Sequence, residues 1–111
     1  MFEKHEAIKM VPNERVELIR RMREKGLESE EALRALNTWT AGRERMVEAL
    51  GRTPEARLGF EVDRAKLYAD AGYIDEALDT IYDALHVAQQ EGETELEERI
   101  RKEIVLLESA E

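Results

Sequence analysis

The chain has 111 residues, of which 42 % are hydrophobic, so it is long enough to bury the core of one domain. It contains no cysteine, which excludes a disulfide framework, a thiol nucleophile and a cysteine-based zinc site. The net charge of −9 argues against nucleic acid and anionic membranes as ligands. Charged residues also interrupt every apolar run long before the length of about 20 residues that spans a bilayer.

Charged side chains occur throughout residues 1–11, which is unlike the apolar segment of a secretory signal peptide. We therefore expect a cytoplasmic protein that is not bound to a membrane.

The sequence predicts an all-α fold. Leu, Ala, Glu and Arg dominate, and apolar residues recur at intervals of three and four, as on one face of a helix. Residues 1–12 are expected to form an N-terminal arm or a short helix, and residues 13–111 a single helical domain. Short connections favour antiparallel helical hairpins. The five expected helices span about 13–25, 29–50, 53–71, 74–91 and 94–108.

Helix starts and ends are predicted from capping residues and glycines. Asn13, Ser29 and Thr53 are residue types that accept hydrogen bonds from the free N–H groups of a first helical turn. A capping box is expected over Thr94-Glu95-Leu96-Glu97. Helix ends are predicted at the glycines that follow four of the apolar patterns, namely Gly26, Gly51, Gly72 and Gly92.

The apolar positions predict which residues face the core. The expected inward residues of the first two helices are Val16, Leu18, Ile19, Met22, Ala32, Leu36, Trp39, Met46 and Leu50, and Leu33 and Val47 widen the stripe of the second helix. Those of the last three helices are Leu58, Val62, Ala65, Tyr68, Ala69, Ala77, Leu78, Ile81, Ala84, Leu85, Ala88, Leu96, Ile100, Ile104 and Leu107.

Residues 58–92 carry a more specific pattern. Small residues and an aromatic residue recur at fixed intervals around a glycine turn, in the order Ala65, Tyr68, Gly72, Ala77, Ile81, Ala84 and Leu85. This pattern resembles the tetratricopeptide repeat (TPR). The resemblance implies a TPR-like right-handed superhelix, and a plain bundle of about five helices is the alternative. Because one repeat cannot bury its own face, flanking helices or a second copy of the chain must cover it.

The resemblance also implies a ligand-binding face. In TPR proteins the first helix of each pair lines that face. The corresponding lining positions here are Gly59, Val62, Asp63, Lys66, Ala69 and Asp70, and the last five of them are the expected partner-binding residues. Only Lys66 fits the family's clamp for a C-terminal carboxylate, so a chaperone tail is not the expected ligand. Trp39 is a further candidate because tryptophan often anchors interfaces, although its place on the apolar stripe favours core packing.

No residue pattern indicates catalysis. Serine occurs only at Ser29 and Ser109, both near predicted helix ends, and no glycine-rich phosphate loop is present. Asp79, Asp83 and His86 share one helix face, but a helical metal site needs a second such pair, so a surface contact is the better interpretation. We expect no metal, no cofactor and no enzymatic activity.

The sequence therefore predicts a non-catalytic, TPR-like adaptor module that binds a protein or peptide, and neither nucleic acid nor membrane. One alternative is a structural helical bundle that self-associates as a homodimer. The other is a metal-dependent helical-bundle enzyme that uses Asp79, Asp83 and His86.

Overall fold

The computed structural model describes residues 2–109, with side chains described from residue 14 onward. Within that range the chain is all-α, as predicted, with five helices and no strand. The helices are α1 (Phe2–Lys25), α2 (Glu30–Ala49), α3 (Pro54–Asp70), α4 (Ile74–Gln90) and α5 (Thr94–Ser109). None of these helices combines the length and the apolar character needed to cross a bilayer.

Most helix ends follow the predicted capping residues. The Ser29 hydroxyl oxygen accepts a hydrogen bond from the Ala32 N–H at 3.2 Å, and Thr53 does the same for Ala56 at 3.2 Å. Gly72, with a φ of +91°, lies in the turn between α3 and α4. The N–H of the following residue, Tyr73, donates to the Tyr68 carbonyl at 2.8 Å. The conformation with positive φ favours glycine, which explains why a glycine ends this helix.

Two predicted capping features are wrong. α1 begins at Phe2 and passes through Pro12, instead of starting at Asn13. A proline inside a helix removes one backbone hydrogen bond, but residues 2–11 are rich in helix-forming residues that favour continuation. The capping box is also not formed, because the Glu97 carboxylate accepts from Arg101 at 2.9 Å instead of turning back to the backbone.

The chain divides into two compact units, Met1–Trp39 and Thr40–Glu111. In the first unit, the buried residues among the side chains described from residue 14 onward are Leu18, Met22, Ala32 and Leu36. In the second unit, α4 packs against both α3 and α5, and α3 also contacts α5. Since α4 is antiparallel to both neighbours, α3 and α5 run in the same direction.

The core of the second unit contains residues from all three of its complete helices. Its small side chains let the helix backbones approach closely, and its larger ones fill the remaining space. The cluster consists of Leu58, Ala65, Ile81, Ala84, Leu85, Ala88, Leu96, Ile100, Ile104 and Leu107. All ten were predicted to face inward.

Four residues that were predicted to face inward are exposed instead. Val16 is 62 % exposed on α1, Leu33 and Met46 are 41 % and 54 % exposed on α2, and Leu50, directly after α2, is 62 % exposed. The spacing of apolar residues identifies a helix face, but it does not say how far a neighbouring element covers that face.

A contact between α4 and α5 provides a pH-dependent test of the fold. The Tyr82 hydroxyl donates to Glu108 Oε2 at 2.8 Å, and this hydrogen bond to a carboxylate raises the pKa of Tyr82 above its ordinary value. Because this pKa is raised, the hydrogen bond stabilises the fold fully below about pH 10, the ordinary pKa of tyrosine. This stabilisation is lost as the pH rises through the pKa of Tyr82 in the folded state.

We therefore expect the native chain to be more stable than Tyr82→Phe at neutral pH. Thermal unfolding of both proteins, followed from neutral to alkaline pH, measures the difference. The difference in thermal stability between the two proteins should become smaller as Tyr82 ionises. A difference that stays constant across this range would show that the hydrogen bond to Glu108 does not stabilise the fold.

Candidate functional site

The candidate site is a groove between the parallel helices α3 and α5, with a volume of about 280 Å³. Five residues of each helix line it, and we call it the α3–α5 groove. Those from α3 are Glu55, Leu58, Gly59, Val62 and Asp63. Those from α5 are Leu96, Arg99, Ile100, Lys102 and Glu103.

The floor of the α3–α5 groove is apolar. Leu58, Leu96 and Ile100 are at most 6 % exposed and belong to the core of the second unit. Val62 is partly buried and packs against the same core. The floor is therefore fixed by the packing that holds the helices together, and a ligand would meet a preformed surface.

Gly59 leaves open space beside this floor. It lies inside α3 with a helical backbone, and a Cβ atom built at this position would have no neighbour within 4 Å. A glycine inside a helix costs about 0.5–1 kcal/mol relative to alanine. Within this chain neither a turn nor close packing requires a glycine at this position. The missing side chain would let a ligand approach the α3 backbone closely at this point.

Two acidic residues of the groove already have basic partners. Asp63 forms an ion pair with Arg43, and Glu103 Oε1 lies 3.2 Å from Lys66 Nζ. The second pair joins α3 to α5 at the edge of the groove. A basic ligand would therefore have to compete with Arg43 and Lys66 for these two carboxylates.

Arg99 and Lys102 form the charged side of the groove on α5. Both side chains are exposed, and within residues 14–109 neither takes part in an ion pair. No sequence motif includes them. The sequence does contain one feature that could have identified them. Arg99, Arg101 and Lys102 are the only arginine or lysine residues after residue 74, in an otherwise acidic stretch.

The six residues predicted to bind a partner lie in different places. Val62 and Asp63 line the α3–α5 groove, and Lys66 pairs with Glu103 at its edge. Ala69 packs against the core, and Asp70 is exposed at the end of α3. Trp39 belongs to the first unit, where its side chain is partly buried.

A second groove, of about 370 Å³, lies between the end of α2 and helices α3 and α4. Its three arginines are all engaged within the chain. Arg52 pairs with Glu48 at 3.1 Å, Arg57 with Glu91 at 2.8 Å and Arg64 with Glu61 at 2.6 Å. The hydrogen bond from Arg57 lowers the pKa of Glu91. Because its cations are paired, this groove offers a ligand less charge than the α3–α5 groove does.

The described part of the chain holds no group of three or more His, Cys, Asp or Glu side chains arranged to bind a metal ion. Asp79, Asp83 and His86 are all exposed along α4. The chain matches no protein-family description, no curated protein and no solved structure.

Proposed function

We propose that this chain is a non-catalytic interaction module that binds a segment of a partner protein in the α3–α5 groove. The open space at Gly59 is the observation that supports this proposal most strongly. A helical glycine beside a rigid apolar floor has a cost in stability, and close approach of a ligand accounts for it.

The resemblance of residues 58–92 to TPR supports the same function. In that family the first helix of a pair lines the ligand face, and α3 is the first helix of the resembling pair. The proposal includes a TPR-like adaptor role with a protein or peptide partner, in the cytoplasm. The proposed binding surface belongs to α3 and α5 together, with Val62 and Ile100 in its common floor.

Selection from an unbiased library of displayed peptides tests the proposal without knowledge of the natural partner. The immobilised protein should enrich peptides that bind it and that lose binding to Val62→Lys, which places a charge on the apolar floor. Val87→Lys is the matched control, because Val87 is also a partly buried valine packed against the core, but it lines the second groove.

The two variants distinguish the grooves. Loss of binding with Val62→Lys and retention with Val87→Lys supports the α3–α5 groove. The reverse result would assign binding to the second groove, and failure to enrich any peptide would contradict the proposed function.

Self-association is a second candidate function, favoured by two adjacent apolar side chains on α5. Val105 and Leu106 are 60 % and 64 % exposed, and a homodimer interface would cover them. Light scattering during size exclusion measures the mass in solution. A dimer that dissociates in Val105→Glu would support this candidate, and a strict monomer would remove it.

A further inference from the structure

The charge of the last third of the chain is very uneven. Residues 75–111 contain twelve acidic side chains and only three basic ones. Arg101 is engaged within α5, where its Nη2 atom lies 2.9 Å from Glu97 Oε2. The other two, Arg99 and Lys102, both line the α3–α5 groove.

These two cations lie on one side of α5. Residues three positions apart are neighbours on a helix surface, so their charges act on the same region of space. Asp63 and Glu103, two of the three acidic lining residues of the groove, form ion pairs with Arg43 and Lys66. Glu55 also lines the groove, but it lies in the first turn of α3, where the helix dipole already favours a negative charge.

The positive charges of Arg99 and Lys102 are therefore available to a ligand, although the whole chain carries a net charge of −9. Salt limits electrostatic interactions between exposed groups to about 8 Å under physiological conditions. A ligand seated in the groove would respond to Arg99 and Lys102 more than to Glu95 and Glu98, which lie one turn away on α5 and do not line the groove. The local charge thus determines which ligand fits.

We infer that the ligand of the α3–α5 groove is an acidic segment of a partner protein. An apolar side chain of this segment rests on the floor beside Gly59, between Val62 and Ile100. Flanking aspartate or glutamate side chains pair with Arg99 and Lys102. This inference rests on the proposed function and specifies the chemistry of the partner.

The peptides enriched on the native protein test this inference directly. We expect most of them to carry a net negative charge and at least one large apolar residue. Enrichment of neutral or basic peptides that still compete for the groove would overturn the inference while leaving the proposed function intact. Peptides that bind equally well when the groove is filled by Gly59→Trp would overturn both.

Charge reversal provides the second test, with an enriched acidic peptide as the probe and fluorescence anisotropy as the readout. Arg99→Glu should weaken binding about fivefold to tenfold, because an attractive pair becomes repulsive. Arg99→Lys should restore most of the affinity. The control is Arg101→Glu, which makes the same change in net charge on the same helix, outside the groove.

The expected pattern is loss of affinity with Arg99→Glu and little change with Arg101→Glu. Equal effects of the two variants would show that only the overall charge matters. An unchanged affinity of Arg99→Glu would show that the charged side of the groove on α5 does not contact the peptide. Either result would overturn the inference.

Discussion

Replacing Ile81 with alanine is expected to lower the free energy of unfolding by about 2–5 kcal/mol. Ile81 is fully buried on α4 and belongs to the core cluster that α3, α4 and α5 share. The substitution removes buried apolar surface and leaves a cavity that the neighbouring helices cannot fully close. Urea denaturation followed by circular dichroism measures the loss.

Val105→Ala serves as the control for this prediction. It also shortens an aliphatic side chain, but Val105 is 60 % exposed on α5. We expect a change of less than about 0.5 kcal/mol. Similar losses in both variants would mean that Ile81 is not at the centre of the packed core, and the helix arrangement described above would be wrong.

Gly59→Trp is expected to weaken binding of a groove peptide by at least about 100-fold. The indole ring would occupy the space above Val62 and Ile100 that the ligand needs. The fold should tolerate this change, because the Cβ position is open and glycine is less favourable than most residues inside a helix. Anisotropy titration measures the affinity, and thermal unfolding checks the fold.

Gly42→Trp is the matched control, since Gly42 is also a glycine inside a helix. A Cβ atom at Gly42 would meet only the end of the Arg45 side chain, at 3.9 Å. Gly42 does not line the α3–α5 groove, so we expect the affinity to be unchanged. Undiminished binding by a folded Gly59→Trp protein would contradict the assignment of the site.

The ends of α2, α3 and α4 could be predicted from the sequence because they depend on local chemistry. A hydroxyl at Ser29 or Thr53 and a glycine at 72 act on the backbone within a few residues. Pro12 shows the limit of such rules, since the same residue type starts one helix and is tolerated inside another.

Burial was harder to predict where a helix has more than one neighbour. Leu67 is fully buried on α3, although it lies outside the predicted apolar stripe of that helix. A single stripe describes a helix packed on one side, so it misses residues covered from another direction. Met46 and Leu50 show the opposite error, an apolar stripe that remains exposed.

The sequence predicted only half of the candidate site. The TPR resemblance pointed to Gly59, Val62 and Asp63, which are on the helix that carries the motif. Arg99 and Lys102 lie about forty residues later, and only the parallel packing of α3 and α5 brings them to the same groove. Contacts between distant helices do not appear in the local periodicity of either helix.

Mapping an enriched peptide onto the protein by NMR tests the central claim most directly. Amide signals are recorded for the 15N-labelled protein with and without the unlabelled peptide. We predict that the largest shifts will occur at Gly59, Val62, Arg99 and Lys102, with little change along α4. Shifts confined to Val87 and the second groove, or to the exposed residues Val105 and Leu106, would contradict the claim that the α3–α5 groove is the binding site.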